Sequence, residues 1–115
     1  MDFAVGQGVY GLIKFRNGVY PREKRMYLIV SVSENEIGAL NVSSIKGKER
    51  ILLFPSNKEL NTSFPPFREK TFVKLDSFVA VDIDAANSLV IVANVQTLNT
   101  GDLNYILTNY KEFNT

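Results

Sequence analysis

Lys24-Arg25-Met26-Tyr27-Leu28-Ile29-Val30-Ser31 sets two cations directly before a run that is apolar on both faces. Short apolar runs of this kind, rich in β-branched and aromatic residues, read as strands packed on two sides. The stretch therefore predicts a central strand over residues 26–32. A guanidinium at the mouth of such a strand is costly to bury unless it has a partner or a task. Arg25 is accordingly the first candidate for function.

Working outward, Gln7 to Phe15 alternates, with Val9, Ile13 and Phe15 on one face and Tyr10, Leu12 and Lys14 on the other. That period is the mark of a half-buried strand. Arg16-Asn17-Gly18 signals a turn, and the stretch to Glu23, with Pro21, a polar loop. After the central strand, Glu34-Asn35-Glu36 predicts a short turn and Ile37 to Ser43 a third strand. Further strands are expected at Arg50–Phe54, Thr71–Leu75, Phe78–Ile83 and Leu89–Val95, with a turn over Asp84–Ser88. Residues 55–70 (PSNKELNTSFPPFREK) hold three prolines and no apolar period. They predict a long irregular loop, a feature often tied to function.

The period then changes. Leu103, Ile106, Leu107 and Tyr110 fall at i, i+3, i+4 and i+7, one face of a helix. Thr100 is expected to supply the N-cap oxygen, and Asp102 suits the positive end of the helix dipole. Strands followed by one terminal helix predict a mainly β fold with a minor α part: a small, strongly bent antiparallel sheet or barrel.

Composition narrows the chemistry. The 115 residues fit one domain, 1–115, with ordinary hydrophobic content of 45%. No apolar run approaches the ~20 residues of a membrane span, and Met1-Asp2-Phe3-Ala4 lacks a basic region followed by an apolar core. A cytoplasmic protein with no membrane association is expected. The absence of Cys excludes disulfides and Cys-based zinc sites, and the absence of His excludes a Ser-His-Asp triad. No cofactor or metal is expected. The net charge of +1 conceals an asymmetry. Residues 1–74 carry twelve of the thirteen Lys and Arg against seven acids, whereas residues 75–115 carry Lys111 against five. Lys14, Arg16, Arg22, Lys24 and Arg25 cluster against a single Glu23, a surface that attracts polyanions when it is more than a solvated face.

Among candidate chemical groups, Asp82 with Asp84 and Glu34 with Glu36 read as solvated turns. Val5-Gly6-Gln7-Gly8 lacks the preceding strand and following helix of a phosphate loop. What remains is cationic and hydroxylic. Strand parity puts Ser43 with Asn41 and Ala39, and Ser44 with Leu40 and Val42. If strands 26–32 and 37–43 pair about the 34–36 turn, Arg25, ten residues back from its centre, and Ser43, eight forward, fall at the same end. A guanidinium and a hydroxyl can then converge on one anion, such as a phosphodiester; an Arg-to-backbone bond with a strand-terminating Ser pair is the plainer alternative.

These stretches resemble the PemK/MazF-type toxins of bacterial toxin–antitoxin systems. Gly8 to Phe15 is similar to the family's opening strand, and Lys24 to Ser31 to its basic-Arg-Pro-apolar strand, with Met26 where the family has proline. Leu40-Asn41-Val42-Ser43-Ser44 resembles its strand ending in two hydroxyl residues. Thr71-Phe72-Val73-Lys74-Leu75-Asp76 resembles its Ser-x-Val-x-x-Asp stretch, and Leu98 to Tyr110 its terminal helix. The resemblance implies an SH3-like, CcdB/MazF-type barrel, a homodimer and a small acidic antitoxin partner. It implies a metal-independent endoribonuclease that cuts single-stranded RNA, with Arg25 and Ser43 catalytic and Lys24, Ser44, Thr71 and Lys74 contacting the RNA. A non-catalytic nucleic-acid- or protein-binding module on the same barrel, phage- or plasmid-borne, is the alternative.

Overall fold

In the computed structural model, which describes residues 2–14, 18–93 and 96–114, the Arg25 run is a central strand with neighbours on both sides. The elements are β1 (Gly8–Gly11), β2 (Arg25–Val32), β3 (Glu36–Ser44), a 3₁₀ helix (Glu49–Leu53), β4 (Asn57–Glu59), β5 (Thr71–Lys74) and β6 (Val79–Asp82). A short helix α1 (Ile83–Ala86), β7 (Val90–Ile91) and the long helix α2 (Thr100–Phe113) follow. All pairings between the named strands are antiparallel, and the sheet runs β4-β5-β3-β2-β1-β7. β6 pairs with β3 beside β5, so β3 spends its second edge on two partners.

β2 and β3 form a hairpin closed by Ser33. Its backbone N–H donates to the Glu36 carbonyl at 2.8 Å, and its hydroxyl accepts from the Glu36 N–H at 3.2 Å. A register shift between Ile29 and Ser31 bulges β2 near this closed end. The partners of β3 show a second interruption: Val42 faces Val73 and Ala39 faces Val79. Three extra residues are therefore accommodated between β5 and β6. Ser77 bridges the excursion, its hydroxyl donating to the Lys74 carbonyl (2.6 Å) and accepting from the Asn41 N–H (2.8 Å).

Because β2 is covered on both sides, the sheet has two cores. Leu28, Leu40, Val42, Val73 and Leu75 face α2 and pack with Phe67, Leu98 and Ile106. Val9, Tyr27, Ile29, Ile37 and Ala39 face the other way and pack with Val81, Ala86 and Leu89. Each fully buried Leu or Ile contributes about 1.5–3 kcal/mol by leaving water. The helix docks as its period predicts. Ile106 is fully buried, Leu103, Leu107 and Tyr110 pack at its margin, and the Tyr110 ring stacks on Phe78 at 5.6 Å.

Several boundaries differ from expectation. Residues 50–54 are not a strand: Glu49–Leu53 is a 3₁₀ helix with no buried residue, and Leu53 and Phe54 stand exposed, so nothing selects a pleated face there. The 55–70 stretch is less irregular than its prolines suggest, because Asn57–Glu59 pairs with β5 as an edge strand. The first strand is only Gly8–Gly11, although its alternation holds: Val9 and Ile13 are buried, Tyr10, Leu12 and Lys14 exposed; Phe15 lies outside the described residues. Ile83 belongs to α1 rather than to β6, and α1 replaces most of the expected turn. Of the described residues 89–93, Val90–Ile91 pairs as a strand, and Asn94 and Val95 lie outside the described residues. The N-cap of α2 is Asn99, not Thr100, since the Asn99 side chain accepts from the Asp102 N–H at 2.9 Å.

Asp102 does more than face the helix dipole. It is buried, and its two carboxylate oxygens accept separately from the Asn61 N–H (3.0 Å) and the Thr62 N–H (2.7 Å). The first turn of α2 thereby holds the 55–70 segment.

Candidate functional site: a basic groove at the end of the central strands

Side-chain alternation and register bring the basic residues together. In the β2–β3 ladder Met26 faces Val42 and Tyr27 faces Asn41, so Arg25 and Ser43 are opposite each other one step further on. Arg25 is one residue further from the hairpin's closed end than Ser43, and the bulge between Ile29 and Ser31 takes up that residue, so the two fall level. β5 extends the rows, with Ser43 facing Phe72, and Lys74 standing one step from the Val42–Val73 pair. One face of the sheet end thus carries Arg25, Ser43 and Phe72 in one row and Tyr27, Asn41 and Lys74 in the next.

A groove of about 420 Å³ opens on this face, lined by Ile13, Arg25, Tyr27, Asn41, Lys74, Asp76, Ser77, Phe78 and Val79. Lys48 reaches the same face from the loop after β3, and its ammonium donates to the Ser43 hydroxyl at 2.9 Å. The Lys74 ammonium lies 6.0 Å from the centre of the Phe72 ring.

The electrostatics are those of crowded cations. Burial pushes the Lys74 ammonium below its ordinary pKa, the charges of Arg25 and Lys48 lower it further, and Asp76 acts in the opposite sense. Burial raises the Tyr27 phenol above its ordinary value, against the pull of Arg25. Such a group of cations is relieved by an arriving anion, because a phosphate adds an attraction to each cation that offsets their mutual repulsion.

Local structure sets the start of β2 firmly. The Asn41 side-chain amide donates to the Met26 carbonyl at 3.0 Å, so the residue after Arg25 is tied to β3 by a side chain as well as by the ladder. Asn41 is itself buried.

Of the residues marked in the sequence, Arg25, Ser43 and Lys74 meet on this face. Ser44 and Thr71 are placed otherwise: they face each other on the opposite side, and Thr71 is buried, its hydroxyl donating to the Glu69 carbonyl at 2.8 Å. The direct contact with RNA expected of Thr71 finds no exposed hydroxyl. Lys24 is exposed just before β2. Lys48, Asn41 and Ser77 were missed. Parity alone pairs Asn41 with Ser43, but nothing in a Gly47-containing loop says that Lys48 folds back five residues to reach it.

The opposite face holds a larger cleft of about 700 Å³, whose walls include Met26, Val42, Ser43, Ser44, Phe64, Phe67 and Arg68. Ser43, which the register sets opposite Arg25, also lines this cleft. Among the described residues no cluster of three or more acidic side chains is grouped to hold a metal ion, and no helix is long and apolar enough to cross a membrane. No family model and no curated protein matches the chain.

Proposed function

We propose that this chain is an endoribonuclease of the PemK/MazF kind, on an SH3-like, CcdB/MazF-type barrel, that cuts single-stranded RNA without a metal ion. The observation that carries the reading is the register of β2 and β3, which sets Arg25 opposite Ser43 beside Lys48 and Lys74. In the reaction, the RNA 2′-oxygen attacks the adjacent phosphorus and the bond to the 5′-oxygen breaks. The 2′-hydroxyl gives up its proton, the leaving 5′-oxygen gains one, and the products are a 2′,3′-cyclic phosphate and a 5′-hydroxyl.

The guanidinium offers a planar fork of donors. Arg25 therefore serves as a clamp on the non-bridging oxygens, whose charge grows in the transition state. Ser43, oriented by Lys48, donates to the same phosphate, and Lys74 and Lys24 hold the flanking backbone. The resemblance noted in the sequence supports this scheme, with a homodimer and a small acidic antitoxin as the partners it brings. With Met26 where the family has proline, the hydrogen bond from the Asn41 amide to the Met26 carbonyl supports the placing of Arg25.

The test is cleavage of single-stranded RNA by the purified chain, followed by end-group analysis. Arg25→Ala, at an exposed position, should lower the rate by about 10²–10³-fold while the fold persists. An intact RNA pool in the presence of the wild-type chain would falsify the nuclease assignment. Salt-sensitive RNA binding without cleavage would instead support a non-catalytic binding module.

A further inference from the structure

The cleft opposite the basic groove lacks a role in this scheme, and its lining has the composition of a nucleobase site. Its floor is apolar, from Met26, Val42 and Val92. At its rim stands Phe64, 60% exposed despite being a large aromatic side chain. Arg68, Glu69 and Gln96 line the same cleft and are exposed. Between them they offer a donor fork, an acceptor-only carboxylate and an amide that does both. Proteins that read unpaired bases combine these two elements: an aromatic face for stacking, and polar side chains for the base edge.

Position supplies the second argument. The cleft ends at Ser43 and Ser44, and the Ser43 hydroxyl is held by Lys48 of the cationic group. A single strand whose phosphate lies against Arg25 and Ser43 has its neighbouring base at the mouth of the cleft. The tie from Asp102 to Asn61 and Thr62 steadies the segment bearing Phe64, so the platform is held before a ligand arrives.

We propose that the cleft bounded by Phe64, Arg68, Glu69 and Gln96 binds an unpaired base of the RNA strand whose phosphate occupies the basic groove. It selects the sequence that is cut. The inference rests on the RNA reading of the groove, yet it is separable from the cleavage step.

The experiment measures binding of a short single-stranded RNA, and of the same RNA carrying abasic residues, by fluorescence anisotropy. The proteins are the wild-type chain, Phe64→Ala, Phe64→Tyr and Arg68→Ala, and cleavage sites are mapped in parallel. Abasic RNA and Phe64→Ala should each weaken binding on the order of tenfold, the loss of one stacked base. Phe64→Tyr should restore it, and Arg68→Ala should broaden the set of cleavage sites, or of preferred sequences if nothing is cut. Equal affinity for intact and abasic RNA, or Phe64→Ala binding like wild type, overturns the proposal even if cleavage proceeds. Base-dependent binding without cleavage supports the base site and removes only the nuclease reading. No RNA binding at all overturns both.

Discussion

The two faces of the sheet at the Arg25 end are built from alternate residues of the same strands, yet they differ in kind. On one, Arg25, Tyr27, Asn41 and Lys74 line a groove; on the other, Met26, Val42 and Phe67 line a cleft more than half as large again. A single step along β2 crosses from one to the other, because strand side chains alternate with period two. Polar chemistry and packing are therefore interleaved residue by residue. A change on one face should leave the other readable, and that separation can be attacked directly.

The largest effect should come from the core beneath the cleft. Leu28→Ala empties a fully buried position facing α2 and should cost about 2–5 kcal/mol in chemical denaturation. Arg25→Ala, at an exposed position, should cost less in the same measurement, so equal losses would contradict the division of the faces.

Next comes the tie that steadies the cleft. Asp102→Asn keeps one acceptor oxygen for two backbone donors, Asn61 and Thr62, and should destabilise by about 1–3 kcal/mol. Protease cutting within 61–70 should accelerate while hydrogen exchange in β2 is unchanged; protection lost equally in both would show the two faces to be one cooperative unit.

On the groove face, Ser77→Ala removes a hydroxyl that both donates and accepts between β5, β6 and Asn41. A loss of about 1–2 kcal/mol is expected, with RNA cleavage reduced and base preference retained.

The smallest effect is a slope. The folded-state pKa of Lys74 is depressed, so between that value and the ordinary Lys range the unfolded chain binds more protons than the native one. Stability contributed by this group should therefore rise as pH increases through that window. Tyr27, whose folded pKa is raised, acts oppositely above its ordinary value of 10.0: there the native state holds the extra proton and stability falls with pH. Denaturation midpoints across the alkaline range should show the Lys74 rise flattened in Lys74→Met and the later fall removed in Tyr27→Phe. An unchanged profile in Lys74→Met would mean that the ammonium is not crowded.

Much of the frame was legible because it follows from period. The two-sided apolar run gave away β2, alternation sorted Val9 and Ile13 from Tyr10 and Leu12, and the i, i+3, i+4, i+7 pattern named Leu103, Ile106, Leu107 and Tyr110 as the docking face of α2. The site was legible only in part. Arg25 and Ser43 could be paired through a hairpin, since register is set locally by a short turn. Ser44 and Thr71 lie on the other face, lining the cleft rather than the groove, and a hydroxyl in sequence does not reveal on which face it ends or whether it is already bonded. Lys48 was invisible for another reason: its contact with Ser43 depends on the path of a loop, which carries no period. The 3₁₀ helix at 49–53 shows the same limit, since apolar residues that bury nothing imitate a strand.

The Asp102 tie also bears on the order in which the molecule assembles. Its contacts to Asn61 and Thr62 span about forty residues, and α2 is synthesised after every strand it packs on. Domains acquire structure as they are made, and long-range contacts form late because the intervening chain must first be ordered. The register that places Arg25 opposite Ser43, by contrast, depends on a hairpin complete by residue 44. On the ribosome the pairing of Arg25 with Ser43 can therefore form early, whereas the groove beside it is completed only when Lys74 to Val79 have been made, and the Phe64 segment is tied down only once the helix follows.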